Sequence, residues 1–320
     1  MTRFQMTGLR LLGAAAMLMP VAAQAQIQGH QAVAPRYGSP NSMQFQATTI
    51  ALDLSTIDDD RADADATPES RDADTIGGAF TYFGAGFQKG QRFEGRYQHQ
   101  RRLGEGTRAR LLIDLPLAVV HADKFVASGF TFTGGTAVYG TLSAGVELPV
   151  KPNWLITPRI AYSNLQAGQF FDGDGELLTA SVTSRFKIAK VGRGDLTIGN
   201  MASYTRTIDT FLARQPFFSV TSNYVLRNGL AYQFPLKSRF MGRQTSIRAS
   251  YVFTYTGGAQ FLPYRQFHEL GVNFGVRTRE AEQKNGFEQM RVGLLYTHAR
   301  HEFDTKSGYD AVTLTLGYRF

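Results

Sequence analysis

Residues 309–320, YDAVTLTLGYRF, alternate apolar side chains with small or polar ones up to the last position. A period of two residues is the repeat of a β-strand, so the two kinds of side chain occupy opposite faces. A soluble sandwich would turn the apolar face inward, whereas a transmembrane barrel turns it towards lipid and lines its lumen with the other face. The apolar face carries Val312, Leu314, Leu316, Tyr318 and Phe320, and the other carries Thr313, Thr315, Gly317 and Arg319.

The same alternation recurs upstream and predicts an all-β chain. Residues 42–53 and a long segment within 76–102 are expected to supply the first two strands. Twelve strands is an even number, which brings both ends of a barrel to the periplasmic side. We therefore predict a transmembrane antiparallel up-and-down β-barrel with twelve strands. Counting back from the C-terminus, the other ten lie near 309–320, 288–301, 266–279, 245–257, 217–235, 196–208, 177–190, 153–165, 136–149 and 107–120.

The segment 217–235 contains Asn228-Gly229, a pair that is typical of a two-residue hairpin turn. Such a hairpin would exchange the parity of the flanking apolar positions. Leu226 and Leu230 instead keep the same parity across the pair. The pattern therefore predicts one long strand that projects beyond the membrane.

The first 25 residues have the organisation of a secretory signal. Arg3 and Arg10 give a positive start, residues 11–23 are apolar, and Ala23-Gln24-Ala25 offers small residues at the positions that a signal peptidase reads. The apolar run is shorter than the ~20 residues that a membrane-spanning helix needs. We predict a signal peptide at 1–25, an N-terminal segment at 26–75 and a barrel at 76–320, exported to the outer membrane of a Gram-negative bacterium.

Composition narrows the class further. The 320 residues carry a net charge of +8 and no cysteine, so a secreted fold rests on hydrogen bonds and packing. No long apolar run follows the signal, and a membrane protein without helices must pair its backbone groups between strands. The basic charge is scattered singly along alternating strands of an exported chain, so no nucleic-acid partner is predicted.

Residues 53–75, DLSTIDDDRADADATPESRDADT, hold nine acids and almost no apolar side chain. Such a stretch cannot bury enough surface to order itself alone. We interpret it as the first extracellular loop or as a segment that precedes the barrel. A further hypothesis places the acids around Asp58, Asp59 and Asp60 in or over the lumen as a plug.

The faces that parity assigns to the lumen are basic. Their acids are Asp114, Glu147 and Glu269. The excess of cations predicts an anion-selecting pore, and the alternative is a structural interior of paired charges. The lumen-lining cations are Arg110, Arg159, Arg185, Lys187, Arg227, Arg248, Arg277, Arg291 and Arg319.

The connections and the aromatic residues predict how the barrel lies in the membrane. The short connections 149–153 and 191–195 are expected at the periplasmic side. The mostly longer ones, expected to be extracellular, are 122–135, 168–176, 209–216, 256–266 and 301–310. Two aromatic girdles are predicted at the interfaces: Trp154, Phe186, Phe234, Tyr318 and Phe320 on the periplasmic side, and Tyr139, Tyr162, Tyr204 and Tyr255 on the outer side.

His298-x-x-His301-Glu302-x-Asp304 lies at an extracellular strand end and raises a rival hypothesis, an outer-membrane hydrolase acting on lipids or peptides. Alternation places His298 and His301 on opposite faces, which argues against a shared metal or base pair. Neither the acids in 172–176 nor those in 58–60 have the spacing of an EF-hand. We therefore predict no catalytic residue, no metal and no cofactor.

The final residues, Leu316-Gly317-Tyr318-Arg319-Phe320, resemble the insertion signal of outer-membrane barrels, which implies that the assembly machinery recognises Tyr318 and Phe320. The segments that resemble autotransporter-type barrel domains are 137–165, 196–207, 223–236 and 291–320. Autotransporters carry a passenger before the barrel, whereas here only residues 26–75 separate signal and barrel, so the resemblance is to a solitary barrel without a passenger. It implies outer-membrane lipids and lipopolysaccharide as partners. Small anionic solutes are the partners in the channel alternative.

Overall fold

The computed structural model describes residues 73–85, 88–104, 107–123, 125–127, 130–132, 135–167, 175–208, 222–258, 264–277, 290–301 and 308–319. Twelve of its strands form one closed antiparallel barrel, and β4 and β5 pair in a small separate sheet. No helix among these residues is long and apolar enough to cross a membrane. The strands are β1 (Ala73–Ala85), β2 (Gln88–Arg102), β3 (Arg110–Ala122), β4 (Phe125–Ala127), β5 (Phe130–Phe132), β6 (Gly135–Lys151), β7 (Trp154–Ala167), β8 (Gly175–Val191), β9 (Gly194–Ile208), β10 (Ser222–Phe240), β11 (Arg243–Gly258), β12 (Tyr264–Val276), β13 (Met290–His301) and β14 (Gly308–Arg319).

The two faces of β14 have the environments that a membrane barrel requires. Leu314 and Leu316 are 49% and 52% exposed, whereas Thr313 and Thr315 are 2% and 3% exposed. The apolar face therefore points out of the barrel and the polar face points into it, the reverse of a soluble sandwich. The predicted fold class, a twelve-stranded antiparallel barrel, is confirmed.

The barrel closes between its first and last strands. β1 and β14 pair without interruption from Thr75↔Arg319 to Ala85↔Tyr309. On the inner face of this seam, the hydroxyl oxygens of Thr81 and Thr313 lie 2.9 Å apart. We call the end of the barrel where β1 begins and β14 ends the terminal end, and the opposite one the loop end.

The start of the barrel differs from the prediction. The segment 76–102 forms two strands, β1 and β2, that are joined through residues 86–87. Residues 42–53 lie outside the described residues, and the twelve strands close without them. Residues 53–72 of the acidic segment likewise lie outside the described residues, and the interpretation of this segment stays a prediction. The signal peptide and the plug hypothesis also concern residues outside the described ranges and stay predictions.

Residues 217–235 were expected to hold one strand, and β10 is indeed continuous across Asn228-Gly229. The chain reverses later, between Phe240 and Arg243, which are cross-strand partners. Met241 and Gly242 have φ angles of 52° and 77° at this turn. Two successive positive φ values are typical of a type I′ hairpin, whose twist matches that of the flanking strands.

The connections largely follow the predicted alternation of length. All five connections expected to be extracellular lie at the loop end, and 149–153 and 191–195 lie at the terminal end. Three connections depart from it: 86–87 is short although it lies at the loop end, and 103–109 and 277–289 are longer although they lie at the terminal end.

Strand register determines the width of the barrel. Around one circuit the pairings shift by about 14 residues. With a rise of ~3.3 Å per residue and a strand spacing of ~4.8 Å, this stagger tilts the strands by ~40° and gives a backbone radius of ~12 Å. A lumen of this radius is narrow enough for arginine side chains to bridge strands that are not neighbours.

A disulfide tests the closing seam, because the chain has no cysteine of its own. The double variant Thr81→Cys/Thr313→Cys should cross-link on oxidation, since these residues are direct partners with side chains in contact. The readout is loss of the heat-induced mobility shift in electrophoresis, restored by a reductant. Thr81→Cys/Thr315→Cys is the matched control, because Thr315 pairs with Ala79 and is offset by two residues. Equal cross-linking of both variants would contradict the register.

Candidate functional site

The lumen wall holds its acids between cations from different strands. Asp114 on β3 receives a bidentate pair from Arg96 on β2, with Nε–Oδ1 at 2.7 Å and Nη2–Oδ2 at 2.5 Å. The guanidinium of Arg159 on β7 lies 3.5 Å from the same Oδ2. The Asp114 side chain is only 3% exposed. This geometry compensates the desolvation of the carboxylate, which would otherwise be costly.

A second acid, Glu147 on β6, repeats this arrangement. Arg185 on β8 donates to Glu147 Oε2 at 3.2 Å, and Arg110 on β3 lies 3.7 Å from Oε1. Arg185 and Glu147 are separated by β7, so their side chains meet on the inner side of that strand.

The third predicted acid, Glu269 on β12, lies on the other half of the wall. It is bonded by Arg227 on β10, whose side chain is fully buried. Thr254 on the intervening β11 donates a longer hydrogen bond of 3.5 Å to the same oxygen, Oε2. Each of the three carboxylates is thus held by at least one side chain from a non-adjacent strand, and this network of charges stiffens the wall.

Towards the terminal end the cations have different partners. Lys187 Nζ lies 3.3 Å from Asp195 Oδ2, Arg291 donates to Gln233 at 3.0 Å, and Arg277 donates to the amide oxygen of Gln244 at 2.9 Å. For Arg319 the structure describes the backbone pairing with Thr75 and not the side chain, so its place among the lumen cations stays a prediction.

Arg248 on β11 is 4% exposed and faces a small void that Arg185 also lines. The void exists where Gly199 and Gly229 leave the wall without side chains.

Sequence reasoning missed one group of lumen charges. Arg92, Glu94 and Arg96 on β2 are buried at 4–5% exposure and face inward. The prediction of a single strand over 76–102 leaves β2 without an assigned inner face, so these three residues do not appear among the predicted lumen charges. Alternation within RFEGRYQHQ, residues 92–100, is the signal that reveals them.

With β2 included, the lumen remains basic. Five acids face it among the described residues: Glu94, Asp114, Glu147, Asp195 and Glu269. Cations outnumber these acids in the same part of the chain, and they include Arg92, Arg96, Arg102, Arg110, Arg159, Arg185, Lys187, Arg227, Arg248 and Arg291. An excess of positive charge on a wall of buried side chains produces a field that favours anions, because buried charges are screened less than charges in bulk water.

The loop end of the lumen is apolar. Five inward aromatic side chains gather there, each at most 8% exposed. The ring of Tyr309 lies at their centre, 6.1 Å from Phe83, 5.9 Å from Tyr264 and 6.2 Å from Phe267. The fifth aromatic side chain is Tyr139, and we call the five together the aromatic mouth. They pack against Ala118, Val120, Ala299 and Ala311.

Tyr139 corrects the predicted outer girdle. It is 3% exposed and faces the lumen, whereas Tyr204 is 52% exposed and faces outward. The physical reason is parity, since Tyr139 shares a strand face with Glu147, which the sequence already assigned to the lumen. Of the assembly signal, Tyr318 is outward and half exposed, and Phe320 lies outside the described residues.

The histidine of the proposed rim enzyme faces outward. His298 Nδ1 lies 2.9 Å from Asp310 Oδ1, and the Tyr296 hydroxyl donates to the same oxygen at 2.6 Å. Glu302 and Asp304 lie outside the described residues. Among the residues that the structure describes, no three His, Cys, Asp or Glu side chains are grouped to hold a metal.

The same arrangement occurs at the terminal end of the seam. His99 Nδ1 lies 2.7 Å from Asp74 Oδ1, and the Tyr97 hydroxyl donates to that oxygen at 3.0 Å. The two clusters therefore flank β1 and β14 at opposite ends. Polar groups at both ends of an apolar outer face are typical of the levels at which a barrel meets lipid headgroups.

Comparisons with known proteins address the fold. No protein-family model matches the chain, and no curated protein matches it in sequence. The β domain of the Bordetella autotransporter BrkA is similar in structure, with a TM-score of 0.51 and 12% identity, covering 78% of this chain and 98% of that one. An outer membrane channel from Pseudomonas putida F1 is similar with a TM-score of 0.50 and 9% identity, covering 78% and 96%. The translocator domain of NalP from Neisseria meningitidis has a TM-score of 0.49 and 14% identity, and the match covers 88% of this chain and 98% of that one.

The likenesses to the BrkA β domain and to the Pseudomonas channel show that the chain has the fold of outer-membrane barrels. Of these two proteins, one is an autotransporter domain and the other is a channel. Proteins with different activities thus share this fold, and evidence on the activity has to come from the residues that line the lumen.

The ion-paired wall generates a stability prediction. Asp114→Ala leaves Arg96 and Arg159 buried without their carboxylate, so the free energy of unfolding should fall by about 3–5 kcal/mol. Asp123→Ala, which removes an exposed acid, should cost less than about 0.5 kcal/mol. Urea unfolding in lipid vesicles, followed by the fluorescence of the single Trp154, measures both. Equal losses would show that the buried network adds little stability.

Proposed function

We propose that this chain is a solitary outer-membrane barrel whose lumen passes small anionic solutes. The observation that carries the proposal is the excess of cations over acids on the described lumen wall. The signal predicted at 1–25 and the outward apolar face support a location in the outer membrane. The alternative hypothesis, closest to the autotransporter resemblance, is a barrel without a transport role. Such a barrel does not require an excess of cations.

The arrangement of the cations suits passage better than tight binding. A permeant ion must be attracted into a pore and also released from it, which several weak sites achieve. Asp114 and Glu147 each share two arginines, so the positive field of these groups is partly neutralised.

The aromatic mouth controls entry in this proposal. A water-excluding ring of side chains above a charged lumen is a hydrophobic constriction, which lowers conductance because ions must shed water to cross it. Tyr309 contacts three of the other rings, so it holds the constriction together. The barrel should therefore conduct weakly as it stands.

Ion selectivity tests the proposal. In a planar bilayer under a KCl gradient, the reversal potential of the wild-type chain should show preference for chloride. Arg248→Gln should lower the chloride-to-potassium permeability ratio by at least about fivefold, because the attraction of one charge is about 1 kcal/mol at close range in water and larger where screening is weaker. Arg101→Gln, which removes an outward exposed cation, is the matched control and should change nothing. Absence of conductance, or cation preference in the wild type, would contradict anion passage.

The mouth is tested by a separate variant. Tyr309→Ala removes the ring shared by Phe83, Tyr264 and Phe267, so single-channel conductance should rise several-fold with little change in ion preference. Tyr204→Ala removes an outward tyrosine and should leave conductance unchanged. If Tyr309→Ala conducts like the wild type in the folded barrel, the aromatic mouth is not the constriction.

A further inference from the structure

One polar row interrupts the apolar outer surface. Ser184 on β8, Asn200 on β9 and Asn228 on β10 are direct cross-strand partners. Their parity is that of Val182, Ala202 and Leu226, which face outward. Asn200 and Asn228 are exposed on this outer face.

The row lies near the middle of the membrane-facing band. On β10, Asn228 is four residues from the outward Tyr224 and four from the outward Tyr232. Tyr232 reaches the terminal end of the barrel, where its hydroxyl donates to the carbonyl of Val191. With ~3.3 Å per residue and a tilt of ~40°, each tyrosine lies ~10 Å from Asn228 along the barrel axis. The apolar band of such barrels is ~25 Å tall, so the amides lie close to its centre.

Lipid cannot satisfy these amides. In the part of the chain that the structure describes, the side chains of Asn200 and Asn228 make no hydrogen bond, while Ser184 Oγ accepts one from Trp154 Nε1 at 2.9 Å. Hydrocarbon offers neither donors nor acceptors, and headgroups lie about 10 Å away in either direction. Uncharged polar side chains in membranes typically pair across protein interfaces.

A recess adjoins the row on its loop-end side. The outer wall there is lined by Ala144, Pro158, Ile160, Ala180, Ala202 and Leu226, around an open groove of about 700 Å³. Tyr204 and Tyr224 border it. An apolar recess beside a row of hydrogen-bonding groups provides both the close packing and the polar contacts on which association within a membrane depends, since the hydrophobic effect does not drive it there.

We infer that the outer face of β7–β10 binds a second copy of this chain, across a two-fold axis parallel to the barrel axis. An amide carries donors and an acceptor, so it is its own complement, and a two-fold axis at the row brings Asn200 and Asn228 against the same residues of the other copy. Copies inserted in one direction share the depth of the row, which makes the match possible. An acyl chain would fill the groove and leave the amides unsatisfied. The inference does not depend on anion passage.

Association in lipid tests the inference. Energy transfer between labelled copies in phosphatidylcholine vesicles, over a series of protein-to-lipid ratios, should show a dimer for the wild type. Asn200→Leu/Asn228→Leu keeps the size and makes the face apolar, so the barrel should still fold and its association constant should fall at least about tenfold, the ratio expected for the loss of a pair of amide hydrogen bonds. Val272→Leu, on the outer face of β12, is the matched control and should associate like the wild type. A wild type that stays monomeric, or a double variant that associates equally well, overturns the inference.

Cross-linking places the contact independently. Because the chain has no cysteine, Asn228→Cys introduces a single thiol at the proposed axis. It should form a disulfide-linked dimer in vesicles, whereas Leu314→Cys, on the outer face of β14, should not. Equal cross-linking at both positions would mean random collision and would overturn the inference, whatever the conductance of the barrel.

Discussion

Hydrocarbon offers no hydrogen-bond partner to a peptide group, so each strand that faces lipid must be paired along both edges. The pairing of β1 with β14 meets this requirement and leaves the barrel without an open edge. Closure also makes strand parity decisive, because it separates the side chains into one set that faces lipid and one that faces the lumen. Leu314 and Thr313 are neighbours in sequence and lie in entirely different surroundings for this reason.

Closure at a radius of ~12 Å also brings charges from separate strands within reach of one another. Arg185 bonds Glu147 across β7, and Arg227 bonds Glu269 across β11. Charges buried in this way need their partners, so the network serves stability whatever passes through the lumen. The excess of cations over the acids that they pair with supports the proposed passage of anions.

Much of the fold could be predicted from alternation, because strands from β3 to β14 have chemically distinct faces and most are separated by recognisable connections. The two-residue connection at 86–87, Gly86-Phe87, lies within GAGFQKG, a run without proline, asparagine or aspartate, and the end of β1 was hidden there. The lumen cations followed from parity once the strands were placed, and Arg92 and Arg96 were missed with β2. The partner of each cation could not be predicted, because bonds that cross an intervening strand depend on curvature and register. Tyr139 shows that the face of an aromatic residue can still be assigned wrongly from its type, since an aromatic side chain fits either the lipid face or the lumen face.

The central claim is that the apolar face of β14 meets lipid and its polar face meets the lumen. Single cysteines at positions 312 to 316, each carrying an environment-sensitive fluorophore, test it directly in vesicles that contain brominated lipids. Labels at Val312, Leu314 and Leu316 should be quenched by the bromine, and labels at Thr313 and Thr315 should not. Uniform quenching, or quenching with the opposite parity, would contradict a barrel that spans the membrane in this register.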